Sequence, residues 1–65
     1  MITPGSRVRL LVPLGALPRD HVCKVLVTFD CGGNEAASMD IEGYVSGVGY
    51  RYTVWHSEVE EITPP

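Results

Sequence analysis

In its 65 residues the sequence has no long apolar run, only five basic residues, two cysteines, one tryptophan and one phenylalanine. Each scarcity excludes something. No stretch approaches the ~18 consecutive apolar residues of a membrane-spanning helix, so no membrane partner is expected. The opening MITPGSRVRL lacks the charged segment, apolar run and small-residue cleavage site of an export signal, which makes the cytoplasm the expected location. Arg7, Arg9, Arg19, Lys24 and Arg51 are scattered along the chain against eight acidic groups, for a net charge of −3. Binding to a phosphate backbone needs a concentrated positive surface, so this balance disfavours nucleic acid as a partner.

The two cysteines, Cys23 and Cys31, flank the stretch KVLVTFD. If that stretch is one extended strand, their Cα atoms stand about 26 Å apart, far beyond the ~7 Å limit for a bridge. Two reduced, structural thiols are expected. His21 and Cys23 share one face of such a strand, and His56 is a candidate third ligand. Structural zinc sites are built from close ligand pairs such as C-x₂-C, and the sequence has none, so no metal and no cofactor are expected.

At this length the chain is read as one domain, residues 1–65. A domain so small buries only about 60% of the surface its unfolded chain exposes. Its core must be compact, and a homo-oligomeric interface is an expected source of further stability.

What the sequence does contain is alternation. In SRVRLLV, Val8, Leu10 and Val12 are apolar with Arg7 and Arg9 between them, the period-2 signature of a strand buried on one face. HVCKVLVTFD places Cys23, Val25, Val27 and Phe29 on one side, read as core, and Val22, Lys24, Leu26 and Thr28 on the other; its β-branched content makes it a central strand. Gly32-Gly33-Asn34 is read as a hairpin turn. In AASMDIEGYV, Met39, Ile41 and Val45 alternate with Asp40, Glu42 and Tyr44, and Gly43 marks a bend or bulge. SGVG turns the chain into YRYTVW, with Tyr50, Tyr52 and Val54 inward and Arg51, Thr53 and Trp55 outward. Ser57 is placed to cap one helical turn through SEVEE, after which Val59 and Ile62 return to the core.

The expected fold is all-β: a five-stranded, partly open antiparallel barrel with a short 3₁₀ turn near the C-terminus. Three stretches carry a resemblance to the SH3-like small barrels: PGSRVRLL resembles their glycine-led first strand, VLVTFDCGGN the next strand and turn, and TVWHSEVEEI the closing strand, 3₁₀ turn and final apolar residue. That broad group includes the E-type subunit of the photosystem I reaction centre, nitrile hydratase β-subunit domains, KOW-type ribosomal and transcription modules, and the type II dihydrofolate reductases. GSRVRLL and HSEVEEITPP look most like the photosystem I member of the group. The type II reductases build their pore from a Val-Gln-Ile-Tyr stretch that YTVWHS does not reproduce, so the resemblance implies no catalytic residues.

A cysteine nucleophile with His56 and Glu58 would need three groups converging in space. Cys23 instead has the parity of the core, and a non-catalytic role is expected. SGVGY leads into a strand and not a helix, so it is read as a turn and not a phosphate loop. Glu58, Glu60 and Glu61 are read as a solvated face. One anomaly remains on the outer parity, where Leu11, Leu26 and Trp55 are apolar beside Arg51 and His56. Trp, Tyr and Arg are enriched at binding hot spots, and monomers seldom display an apolar patch unused. The alternative is that Trp55 covers an open end of the barrel. The leading expectation is a non-catalytic interaction or adaptor module that self-associates through Leu11, Leu26, Arg51, Trp55 and His56. A nucleic-acid-binding barrel using Tyr44, Tyr50, Trp55 and Arg51 is the second, and a ligand site between subunits formed by Tyr50, Tyr52, Trp55 and His56 the third.

Overall fold

The computed structural model of the chain describes residues 1–29 and 36–62. Five strands form one antiparallel sheet: β1 (Arg7–Leu10), β2 (Val22–Phe29), β3 (Ser38–Val45), β4 (Val48–Trp55) and β5 (Val59–Ile62). Their order across the sheet is β4-β3-β2-β1-β5, and the sheet is not closed. A 3₁₀ turn, His56–Glu58, joins β4 to β5. Among the described residues there is no α-helix, and hence none long and apolar enough to cross a membrane. The turn expected at Gly32-Gly33-Asn34, and Cys31, lie outside the described residues.

The topology forces the sheet to curl. β4 and β5 are its two edges, and four inter-strand steps would separate them by about 19 Å in a flat sheet. Only the three residues His56–Glu58 connect them, and three residues of 3₁₀ helix advance about 6 Å. The concave face so produced holds the core. Val8, Leu10, Leu17, Val25, Met39 and Ile41 are wholly inaccessible there, and Ile2, Cys23, Val54 and Val59 nearly so. Tyr50 and Tyr52, expected inward, are half-buried and pack against this cluster.

The alternation holds through β1, β3 and β4. It breaks in β2. Val25 pairs with Ile41, but the next cross-strand pair is Val27 with Asp40, so Leu26 is an extra residue in the strand, a bulge. One inserted residue exchanges the faces of everything beyond it. Thr28 therefore lies opposite buried Met39, while Val27 and Phe29, expected in the core, are exposed on the convex face at 45% and 44%. Leu26, expected on the outer surface, is half-buried at the bulge.

The bulge is not at Gly43, whose strand keeps an unbroken ladder with β4 from Ser38 to Val45. Gly43 serves close approach instead. A Cβ there would stand 2.9 Å from Cys23 Sγ and 3.0 Å from a methyl of Leu17. Leu17 comes from the β1–β2 loop, where Leu14 and Leu17 exchange both main-chain hydrogen bonds at 2.8 Å. From this small clasp Leu17 reaches into the core as a plug.

β1 ends at Leu10, earlier than the alternation suggests, and Val12 is half-buried in the loop beyond. Ser57 lies inside the 3₁₀ turn and does not cap it. The Glu58 carboxylate accepts the Trp55 main-chain N–H at 2.8 Å instead, and the acidic segment continues as β5.

Candidate functional site

The register assembles the convex face from rows that cross the sheet. Arg7, Lys24, Glu42 and Arg51 form one row, Val27, Asp40 and Thr53 a second, and Phe29, Ser38 and Trp55 a third. Tyr44 pairs with Gly49 one row beyond Arg51 and shares this face. Opposed residues of paired strands project to the same side. Phe29 and Trp55 thus flank the small Ser38, roughly two strand spacings or about 10 Å apart.

Trp55 is 64% exposed and Tyr44 60%. Trp55 therefore does not cover an end of the core within a single chain. Arg51 is exposed on the same face two rows away, as the alternation predicted. The other three expected surface residues are placed differently. Leu11 follows β1 and is half-buried, its N–H donating to the Glu58 carbonyl at 2.9 Å. Leu26 sits in the bulge. His56 opens the 3₁₀ turn, half-buried, with its N–H on the Ala37 carbonyl. Sequence reasoning missed Val27 and Phe29 as surface apolar groups, while Tyr44 lies outward as the alternation has it. The uninterrupted run Val25-Leu26-Val27 was the available signal, since it reads as core on either parity and so tolerates an inserted residue.

Polar contacts fix the middle of the face. Glu42 accepts from Arg51 Nε at 2.7 Å and from Tyr44 Oη at 2.8 Å, and Asp40 accepts from Thr53 Oγ1 at 2.6 Å. The hydrogen bond from Arg51, and then that from Tyr44, holds the Glu42 carboxyl below its ordinary range. The same bond to Glu42 pushes the Tyr44 phenol up. Nearer β5, Arg9 pairs with both Asp20 and Glu60. A shallow depression of about 430 Å³ is lined by Leu26, Val27, Asp40, Arg51, Tyr52 and Thr53.

A depressed folded-state pKa contributes stability above the unfolded value, lost as pH falls through the folded one. For Glu42 that window lies below the ordinary glutamate range. An NMR titration of its Cδ should give a midpoint under that range in the native protein, and Arg51→Gln should move it upward. An unshifted midpoint in the wild type would contradict the triad.

The residues weighed for metal or nucleophilic chemistry are not brought together. Cys23 is buried in the core, and burial pushes its thiol up, away from the reactive thiolate. The His21 ring meets the Tyr44 carbonyl through Nε2 at 3.0 Å, near the hairpin end of the β3–β4 ladder, whereas His56 lies beyond the opposite end, on Ala37. Among the described residues no group of three His, Cys, Asp or Glu side chains is placed to hold a metal ion. Compared with known protein families, curated proteins and solved structures, the chain matches none.

Proposed function

We propose that the chain is a non-catalytic interaction module, an SH3-like small barrel that self-associates with Trp55 as the anchor. The fold part of this reading is supported by the strand order β4-β3-β2-β1-β5 and by the 3₁₀ turn between the fourth and fifth strands. The functional part rests on one observation: the only tryptophan stands exposed on a sheet face with two other aromatic side chains, Phe29 and Tyr44. A large rigid aromatic group in water loses apolar stabilisation of about 25 cal/mol per Å² that an interface would recover. The interior is occupied by close-packed aliphatic side chains, which leaves recognition to the surface.

A nucleic-acid face is the weaker reading. Of the aromatic residues that would stack, Tyr50 turns into the core, and Asp40 and Glu42 stand between the strands that carry Trp55 and Lys24. Arg51 already neutralises Glu42. A phosphate backbone laid along this face would meet two carboxylates.

Light scattering on purified protein tests the proposal. The wild type is expected above the 7.1 kDa monomer mass at micromolar to millimolar concentration, and Trp55→Ser to shift it towards monomer while circular dichroism stays unchanged. A wild type that remains monomeric throughout that range would sink the reading.

A further inference from the structure

The two edges of the sheet are unlike. β5 is four residues long and carries Glu60 and Glu61, the short, charged kind of edge that resists pairing. β4 runs for eight residues, VGYRYTVW, with neither proline nor lysine to guard it. Its free side can be read residue by residue. The His56 N–H donates inward to Ala37 on the β3 side. At the other end Val45 pairs with Val48 around the two-residue turn Ser46-Gly47, both at positive φ, and such hairpins close on a hydrogen-bonded pair. Even-numbered residues of β4 thus bond to β3, and Gly49, Arg51, Thr53 and Trp55 direct their N–H and C=O groups away from the sheet. All four are exposed. One of these donors is taken, because Trp55 N–H is held by the Glu58 carboxylate.

Accepting the self-association reading, we propose that its seam is this edge: β4 pairs antiparallel with β4 of a second copy about a two-fold axis at Arg51. The available groups belong to Gly49, Arg51 and Thr53, which are symmetric about Arg51. Only a register pairing Arg51 with its own copy, and Gly49 with Thr53 of the other, uses all three and leaves the Glu58 cap in place. Pairing centred on Tyr52 or Thr53 would need the capped Trp55 N–H.

Side chains fit the same register. Antiparallel pairing brings opposite ends of β4 together, so Trp55 of one copy faces Gly47 of the other, with Gly49 diagonal to it. Apart from its chain neighbours, no heavy atom of the described residues lies within 4 Å of the position a Gly47 Cβ would occupy, and the Tyr44 ring already lies over Gly49, 3.1 Å from its Cβ position. The indole covers bare glycine backbone and reaches the Tyr44 ring, a known way of protecting strand glycines. The two most exposed aromatic side chains, Trp55 at one end of β4 and Tyr44 of β3 beside its other end, are then buried by one operation, twice. At the axis each Arg51 keeps its own Glu42, so the like charges meet as two neutral pairs.

Amide hydrogen exchange read by NMR across a dilution series tests this. Gly49, Arg51 and Thr53 amides are expected to be protected at high concentration and to lose protection on dilution. Arg51→Pro deletes an outward N–H, a change that edge strands accommodate, and should abolish the dimer. Trp55→Ser, which leaves the backbone edge intact, should weaken it roughly tenfold to a hundredfold, as truncating an aromatic anchor does. A dimer in which these three amides exchange freely overturns the seam while leaving self-association standing. A protein monomeric at every concentration overturns both.

Discussion

Leu17→Ala is expected to remove most of the protein's stability at 25 °C. Leu17 is fully buried although it belongs to a loop, and removing such a side chain costs about 2–5 kcal/mol in transfer energy and residual cavity. A domain this small rarely has more than about 3–5 kcal/mol in hand. The two numbers are comparable, so one truncation consumes most of the net stability. Nor can the site collapse to reduce the loss, because the Leu14–Leu17 clasp holds the loop at a fixed height above Gly43. Leu17→Met conserves volume and should cost below about 1.5 kcal/mol. Urea unfolding at matched protein concentration measures both, the matching being needed because dimerisation itself adds apparent stability. A Leu17→Ala protein with a near wild-type midpoint would show that the loop does not plug the core.

Leu17 also marks where sequence reasoning stopped. Period-2 alternation located the strands because half-burial leaves that trace, and it assigned the faces of Val8, Leu10, Met39, Ile41, Tyr50, Tyr52, Val54 and Trp55 as the structure has them. A buried loop residue leaves no such trace. PLGALPRD, bracketed by Pro13 and Pro18, reads as a loop, and nothing in it distinguishes Leu17, which is buried, from Leu14, which is half-buried. The bulge at Leu26 is equally silent, since a run of three apolar residues is compatible with either face. That one insertion relocated Val27 and Phe29 and withdrew Leu26 from the surface, so the candidate site was legible in Trp55 and Arg51 and illegible in its apolar neighbours. Leu11 was misplaced because β1 ends one residue before it, where its N–H turns to Glu58.

Gly43→Val should be as damaging as the loss of Leu17, by the opposite mechanism. Local propensity argues for the substitution: glycine weakens a strand interior and valine favours one, a difference on the order of 1 kcal/mol. Packing argues against it. Even a single Cβ would lie 2.9 Å from Cys23 Sγ and 3.0 and 3.1 Å from the two methyls of Leu17, so Gly43→Ala already overpacks, typically by about 1–3 kcal/mol. The two further methyls of valine enter the same closed space, and packing outweighs propensity. The two sites must then be coupled. In a Leu17→Ala background the methyl of Gly43→Ala enters the cavity that truncation opened, so its cost should shrink or reverse, a non-additivity within the roughly 0.5–3 kcal/mol typical of touching residues. Measured additive costs would mean that Leu17 does not rest on Gly43. A favourable coupling would identify the strand glycine as the seat of the plug, a requirement for space that neither turn geometry nor strand propensity imposes.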